Sequence, residues 1–179
     1  MAQAHHEINF EAYITEKLVA QGWLEGHSDN YDKQRALYPE DVIAWIKDSQ
    51  PEKWSKLEVL NGANAETVVL DRLAKALDSK KNGGTINVFR NGFSIAGVGQ
   101  IAISQIAPED ARNEAVQAKY QANRLRVVRQ LKYCPVREWS IDLVFFINGL
   151  PVSTVEVKTD FTQSVDDAIE QYKHDRLPV

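Results

Sequence analysis

The chain has 179 residues, of which 44% are hydrophobic and 26% charged, and its formal net charge is −4. This length predicts a single domain that folds without disulfides. The charge excludes a chain that is polybasic overall, so any contact with nucleic acid has to come from a local patch. Cys134 is the single cysteine, and no apolar run approaches the length of a membrane span. We therefore expect a soluble protein of the reducing cytoplasm.

The first half of the chain predicts helices, because apolar residues recur in it at intervals of three and four. Gly22 and the pair Gly83-Gly84 stand where helices end, and Pro39 occupies a first helical position. The polar residues 29–37 predict a loop. The predicted helices cover residues 10–19, 39–46, about 54–57 and 65–77.

The second half predicts mostly strands. Residues 85–106 are rich in alternating apolar positions, with Asn91-Gly92 as a turn between two strands. Pro108 opens a polar helix over about residues 109–122. Three further strands and a last helix with a capping-box-like start follow. The strands cover residues 125–133, 140–147 and 152–157, and the helix covers residues 164 to about 172.

This order of elements predicts an α/β (α+β) fold, in which helices pack against a mixed sheet. The strands at 140–147 and 152–157 are apolar on both faces, as covered central strands are. Residues 148–151, Asn-Gly-Leu-Pro, predict a tight turn that joins these strands as an antiparallel hairpin.

Three charged residues, Asp142, Glu156 and Lys158, stand within this apolar hairpin. Charged side chains are rarely buried unless they are paired or bind a metal. Because side chains alternate between faces, Glu156 and Lys158 share a face. Asp142 joins them only if the register is even, for example 142 opposite 156 around a three-residue loop, or if a bulge restores it. An odd register places Asp142 beside Val157.

These residue types predict a magnesium site that cuts a phosphodiester. Magnesium is held by one or two carboxylates, waters and substrate phosphate, and the protein oxygens would come from Asp142, Glu156 and the carbonyl of Val157. A bound metal lowers the pKa of a water and stabilises charge on the phosphate. Lys158 would position the attacking water. The alternative is a salt bridge between Lys158 and one carboxylate.

The hairpin resembles the PD-(D/E)xK nuclease superfamily, and more closely the amino-terminal endonuclease domain of type I restriction enzyme R subunits. Further similar segments support the resemblance. They are residues 123–131, 141–158 and 167–176, and the opening Phe10-Glu11 with Gly22-Trp23. The resemblance implies a restriction-endonuclease-like core, with a mixed, mostly antiparallel-edged sheet flanked by helices and an extra helical region at residues 36–60.

The resemblance also implies magnesium-dependent cutting of double-stranded DNA. Three residues match the catalytic motif directly, and they are Asp142, Glu156 and Lys158. A glutamate of the first helix assists in many members of the superfamily. Glu11 fits this pattern better than Glu16, and the alternative is a solvated acid on the helix face.

Gln171 matches the glutamine of a Gln-x-x-x-Tyr element that follows the lysine strand in the family. The fourth position after it is Asp175 here, and the tyrosine is Tyr172 instead. The resemblance therefore implies a catalytic role for Gln171 and assigns none to a tyrosine.

A basic stretch without acidic residues covers 115–137. It is interpreted either as a phosphate-contacting surface beside the cleft or as a solvated strand face. No base-reading motif accompanies it, so we expect no sequence specificity from this domain. The DNA-binding candidates are Arg124, Arg126, Arg129 and Lys132.

A type I R subunit carries an ATP-driven motor after its nuclease, and the sequence has no Gly-x-x-x-x-Gly-Lys-[Ser/Thr] loop. We expect residues 1–179 to be a single nuclease domain, a fragment of a larger subunit, that uses Mg2+ and depends on ATP only through the absent motor. The expected partners are double-stranded DNA and the methyltransferase and specificity subunits. The alternatives are a non-cleaving module that clamps DNA or docks the motor, and another nuclease of the same superfamily that acts in repair.

Overall fold

The computed structural model describes residues 2–80, 84–109 and 112–157 together with Ile169 and Lys173, and side chains from residue 8 onward. Lys158, Gln171 and the rest of the predicted last helix therefore lie outside the described residues. Helices α1 to α6 cover Ala2–Ala20, Pro39–Ser49, Pro51–Asn61, Ala65–Asp78, Gly84–Asn91 and Glu114–Gln121. Strands β1 to β6 cover Leu24–Gly26, Phe93–Ile95, Gly99–Ile101, Leu125–Lys132, Ser140–Ile147 and Leu150–Val155.

The larger sheet has the strand order β1-β4-β5-β6. Strand β1 runs parallel to β4, and the pairs β4–β5 and β5–β6 are antiparallel. This confirms the predicted mixed sheet flanked by helices. The sequence analysis did not predict β1, because three residues are too few to show an alternating pattern. Within the described ranges, no helix has the length and apolar character needed to cross a membrane.

The helical region between α2 and β3 has its own apolar core. Buried residues of α2, α3 and α4 pack there against the small antiparallel sheet β2–β3. Leu150, at the start of β6, belongs to this cluster and brings the β5–β6 turn against α2. The largest buried side chains of the cluster are Trp45, Leu37, Ile46, Leu57, Leu73, Ile101 and Ile103.

The larger sheet packs on both faces. On one face Val128, Val144 and Phe146 surround the buried ring of Tyr38, which meets the Phe146 ring edge-on at 5.7 Å between centroids. On the other face α1 lies across the sheet. In the cluster on that side, Ile14 and Leu18 of the helix pack with Val127 and Leu143 of the sheet and with Val157, which follows β6.

The β5–β6 hairpin turns through Asn148 and Gly149, whose φ angles are 50° and 83°. Two consecutive positive φ angles are what a two-residue turn of this hand requires, and Asn-Gly is the sequence that favours it. Asn148 is fully buried, and its side chain donates to the carbonyl of Ile103 at 2.9 Å. The predicted turn is confirmed, although its loop has two residues and not three.

The hairpin register changes once along its length. Next to the turn Phe146 pairs with Pro151, whereas the following pair is Phe145 with Ser153, so Val152 is an extra residue in β6. The register beyond this bulge is even, and it continues to the pair Leu143–Val155. An even register is therefore present as far as Leu143–Val155, one position before Asp142 and Glu156, and a bulge provides it.

Three predictions about individual elements are wrong. Residues 84–91 form α5 and not a strand, because Val88 is buried against the helical core, and the amide of Gly92 donates to its carbonyl at 2.7 Å. Helix α6 begins at Glu114 and not after Pro108, because the side chain of Asn113 caps it by accepting from the amide of Val116.

The third correction concerns β6, which was predicted to be covered on both faces. In the described part of the chain β6 is an edge strand of the sheet, and residues 151–154 are exposed. Its apolar composition alone did not distinguish an edge strand from a central one.

Candidate metal and active site

Asp142 lies at a break between β4 and β5. The pairs on either side of it, Arg129–Leu143 and Leu131–Ile141, are regular, but no pair forms at the position between them. The Asp142 side chain is half-buried, and its Oδ2 accepts a hydrogen bond of 2.8 Å from the amide of Val157. A backbone donor from the next stretch of chain therefore fixes one carboxylate oxygen.

Both strands lose their alternation around Asp142. Val128 and Leu131 of β4 lie in one buried cluster although they are three residues apart, and Ile141 and Val144 of β5 pack against the same cluster. In a regular strand, residues three apart face opposite sides of the sheet. Because of this irregularity, each strand directs one additional side chain toward α1. These side chains are Gln130 of β4 and Asp142 of β5.

Gln130 connects Asp142 to the first helix. Its Nε2 donates to Asp142 Oδ1 at 3.1 Å and to Glu11 Oε1 at 2.9 Å. Its Oε1 accepts from the hydroxyl of Ser140 at 3.1 Å. Two carboxylate oxygens from different elements thus converge on a single nitrogen, although Glu11 and Gln130 are 119 residues apart in the sequence.

The position of Glu11 favours it over Glu16 as the acid of the first helix. Glu11 is 3% exposed and faces the sheet, whereas Glu16 is exposed. The buried face of α1 therefore contains an acid, which contradicts the alternative of a solvated acid at Glu11. Phe10 and Val19, which belong to the predicted apolar stripe, are 53% and 41% exposed.

Glu156 follows the last paired residue of β6. The pairing of β5 with β6 ends at Leu143–Val155, and Asp142 and Glu156 are the next residues along the two chains. Glu156 is half-buried between Val155 and Val157, which both pack in the cluster beneath α1. The hairpin therefore brings the backbones of Asp142 and Glu156 near each other, but Val155 and Val157, on either side of Glu156, are the residues that pack toward α1. Lys158 lies outside the described residues.

The donor chemistry around Asp142 suits a hard cation, since it consists of carboxylate oxygens and backbone groups. The nitrogen of Gln130 occupies the point where Glu11 and Asp142 oxygens meet, as a cation between two carboxylates would. The distances of 2.9 and 3.1 Å are those of hydrogen bonds and longer than the ~2.1 Å of a magnesium–oxygen bond. Among the described residues, no group of three or more His, Cys, Asp or Glu is close enough to hold a metal. The residues fit a metal chemically, and binding requires the carboxylates to move inward.

Two of the predicted DNA-binding arginines are committed to a buried acid. Arg126 is 5% exposed, and its Nε and Nη2 donate to the two oxygens of Asp41 at 2.5 and 2.8 Å. Arg124 donates from Nε to the same carboxylate at 2.9 Å. Burial lowers the pKa of Arg126, but the hydrogen bonds and the charge of Asp41 have the larger effect. The pKa of Arg126 is therefore raised. This geometry favours a structural role for both arginines, which neither interpretation of the basic stretch included.

The other two candidates lie nearer the solvent. The side chain of Arg129 is 37% exposed and its Nη2 is 3.6 Å from Glu25 Oε1. Lys132 forms a hydrogen-bonded ion pair with Glu138, whose hydrogen bond and charge raise the pKa of the lysine. Arg129 also borders a groove of about 450 Å³ that Glu11 and Gln130 line as well. Of the four DNA-binding candidates, Arg129 is therefore the one that lines the same groove as Glu11 and Gln130.

Another surface hollow, of about 720 Å³, lies between α4, α5 and the small sheet, and none of the predicted site residues line it. The smaller groove beside Glu11 is the one that agrees with the chemistry, because carboxylates and a basic residue meet there.

The sequence analysis missed Gln130 and Asp41. The role of Gln130 depends on a positive φ of 48° and on contacts with a distant helix, neither of which a local pattern shows. Asp41 has the appearance of an ordinary acid in the first turn of a helix that begins at Pro39. No signal in the sequence indicates that it is fully buried under two arginines.

Comparison with known proteins gives one family. The family model described as "Type I restriction enzyme R protein N terminus" matches residues 11–179. No curated protein and no solved structure matches the chain. The match begins at Glu11 and includes every candidate residue discussed above.

Proposed function

Since this chain belongs to the family of type I restriction enzyme R protein N termini, we propose that it is a magnesium-dependent endonuclease that cuts double-stranded DNA. The observation that supports this most is the convergence of the Asp142 and Glu11 carboxylates on one nitrogen. Acids at a break between β4 and β5, near a partly exposed arginine, suit a phosphodiester substrate.

In the proposed mechanism Asp142 and Glu156 would hold Mg2+, and the carbonyl of Val157 would supply a further oxygen. When bound, the ion lowers the pKa of a coordinated water and stabilises the charge that develops on the phosphate. The amide of Val157 holds Asp142 Oδ2 in place, which leaves its remaining lone pairs for the ion. Lys158 orients the attacking water, and Glu11 and Gln171 assist.

We further propose that the nuclease acts in the cytoplasm within an R protein that also carries the ATP-driven motor. Its partners would be the methyltransferase and specificity subunits, and the specificity subunit would choose the DNA sequence. The motor and the partner subunits are proposed from the family alone. The choice of DNA sequence is assigned to the specificity subunit because the sequence analysis identified no base-reading motif in this chain.

The test is cleavage of supercoiled plasmid in the presence of Mg2+, by the 179-residue chain and by the intact restriction enzyme. We expect Asp142→Asn and Glu156→Gln each to lower the cutting rate on the order of a hundredfold or more, because each removes charge that the transition state uses. Circular dichroism and thermal unfolding establish that each variant is folded.

Matched controls carry the same chemical changes at exposed positions. Asp48→Asn on α2 and Glu58→Gln on α3 are expected to cut like the wild type. Wild-type cutting by both Asp142→Asn and Glu156→Gln would overturn the proposal. DNA binding that needs none of these acids, without any cutting by the wild-type enzyme, would instead identify a clamping or docking module.

A further inference from the structure

The side-chain amide of Gln130 makes more hydrogen bonds to other side chains than an exposed glutamine normally does. The residue is exposed, yet both ends of its amide are engaged. Nε2 donates to Glu11 Oε1 and Asp142 Oδ1, and Oε1 accepts from the Ser140 hydroxyl. Because the hydroxyl donates to one side of the amide, the nitrogen is directed toward the two acids.

The backbone of Gln130 is strained where this contact forms. Its φ of 48° lies in the left-handed region, which costs a non-glycine residue about 1 kcal/mol or more. A glycine or asparagine would adopt this conformation more easily. Such strain persists only where the surrounding structure determines it, and here it directs the side chain across the break opposite Asp142.

The contact has a specific electrostatic effect on the acids. Two carboxylates that approach each other repel, and a shared donor between them offsets part of this repulsion. A glutamine amide remains a neutral donor at every pH, unlike lysine or histidine. It therefore orients Glu11 and Asp142 without forming an ion pair that would neutralise them and compete with a metal.

We propose that Gln130 is a positioning residue of the metal site, which holds the carboxylates of Asp142 and Glu11 near each other in the metal-free chain, from where they move inward onto the cation. This inference rests on the proposed function, since it assigns the cluster to a metal. Groups that hydrogen-bond to ligating carboxylates and orient them typically contribute 10–100-fold to metal affinity, about the effect expected here.

The first measurement is the affinity of the 179-residue chain for Mn2+. Electron paramagnetic resonance of the free ion and calorimetry both determine this affinity. Gln130→Ala is the main variant, because alanine experiences the same backbone strain and removes only the amide. Gln130→Met keeps the length of the side chain without its hydrogen bonds. We expect both variants to bind Mn2+ about 10–100-fold more weakly than the wild type.

Two further variants separate positioning from a general loss of structure. Ser140→Ala removes the hydroxyl that orients the amide without touching either carboxylate, and it should weaken Mn2+ binding by a smaller factor. Gln121→Ala, at the exposed end of α6, is the matched control and should bind like the wild type. Wild-type or tighter binding by Gln130→Ala and Gln130→Met would overturn the proposal, because the amide would then be a competitor of the ion or incidental to it.

A second measurement distinguishes failure of this inference from failure of the proposed function. In metal-free buffer, urea unfolding of Glu11→Gln, Gln130→Ala and the double variant reports whether the two residues act together. Gln130→Ala shifts the urea concentration at the midpoint of unfolding. We expect this shift to be smaller when Glu11 is already replaced by Gln than in the wild-type chain. If the wild type binds no Mn2+, the proposed function fails and Gln130 is not a metal-site residue, whatever the coupling. Additive shifts contradict the positioning role even when the wild type binds metal.

Discussion

Arg126 and Asp41 form a buried ion pair that joins β4 to α2. Two hydrogen bonds of 2.5 and 2.8 Å connect the guanidinium to both carboxylate oxygens, and the exposed fractions are 5% and 0%. The guanidinium also lies over the ring of Tyr38 at 4.3 Å from its centroid. The pair therefore contacts both the sheet and the helical region at the point where the two meet.

Removing one member of this pair should destabilise the chain strongly. We expect Asp41→Asn to lower the free energy of unfolding by about 3–5 kcal/mol, because it leaves Arg126 buried without its counter-charge. The double variant Asp41→Leu, Arg126→Met should be more stable than Asp41→Asn, since it removes the charge of Arg126 as well and leaves only the partly exposed Arg124 without Asp41. Urea unfolding of the variants measures this order. A loss below about 1 kcal/mol in Asp41→Asn would show that water reaches the pair.

Gly149 should tolerate no side chain, because the hairpin turn lies directly against α2. Its φ is 83°, and an added Cβ would lie 2.5 Å from the carbonyl oxygen of Tyr38 and from a methyl of Val42. We expect Gly149→Ala to cost about 2–4 kcal/mol of unfolding free energy from backbone strain and steric overlap together. Thermal unfolding provides the measurement.

Gly99→Ala is the matched control for this substitution. Gly99 has a comparable φ of 97°, but no atom lies within 4 Å of its Cβ position. It should lose only the strain contribution, about 1–2 kcal/mol. Equal losses in the two variants would mean that the turn moves away from α2 at little cost.

The local features of the fold were predictable where one short pattern determines them. The Asn148-Gly149 dipeptide indicated the hairpin, and Pro39 indicated the start of α2, because each favours one backbone conformation by itself. Residues 84–91 were misread as a strand, since an eight-residue apolar pattern does not distinguish a strand from a short helix that packs on a core.

The candidate site was predictable in composition but only partly in arrangement. The two strand acids were identified from their apolar surroundings, and the need for an even register was clear. The bulge at Val152 that provides this register has no marker in the sequence. The approach of Glu11 to Gln130 depends on the packing of α1 across the sheet, which local spacing does not determine.

Asp32 should stabilise the loop after β1 in a manner that depends on pH. Its carboxylate accepts from the amides of Gln34 and Arg35 at 3.0 Å each and pairs with the Arg35 guanidinium. Burial opposes its charge, but the Arg35 interactions outweigh burial and lower its pKa. A lowered folded pKa means that the stabilisation is present above the unfolded value of about 3.9 and is lost as the pH falls below it.

The variant Asp32→Asn tests this dependence. At pH 7 it should be less stable than the wild type by about 1 kcal/mol, and the difference should shrink as the pH falls below about 4. Asp48→Asn, on the exposed side of α2, should differ from the wild type by less than about 0.5 kcal/mol at pH 7. A difference that grows toward acid pH would contradict the lowered pKa of Asp32.

Arg129 is the basic residue that we expect to contact DNA phosphate, because it is 37% exposed in its side chain and borders the groove lined by Glu11. We expect Arg129→Ala to weaken duplex binding equally for unrelated sequences and to reduce the slope of log affinity against log salt by about 1. Fluorescence anisotropy at several salt concentrations measures both. Arg72→Ala on α4, outside this groove, should leave the slope unchanged. An unchanged slope in Arg129→Ala would assign the arginine to its pair with Glu25 alone.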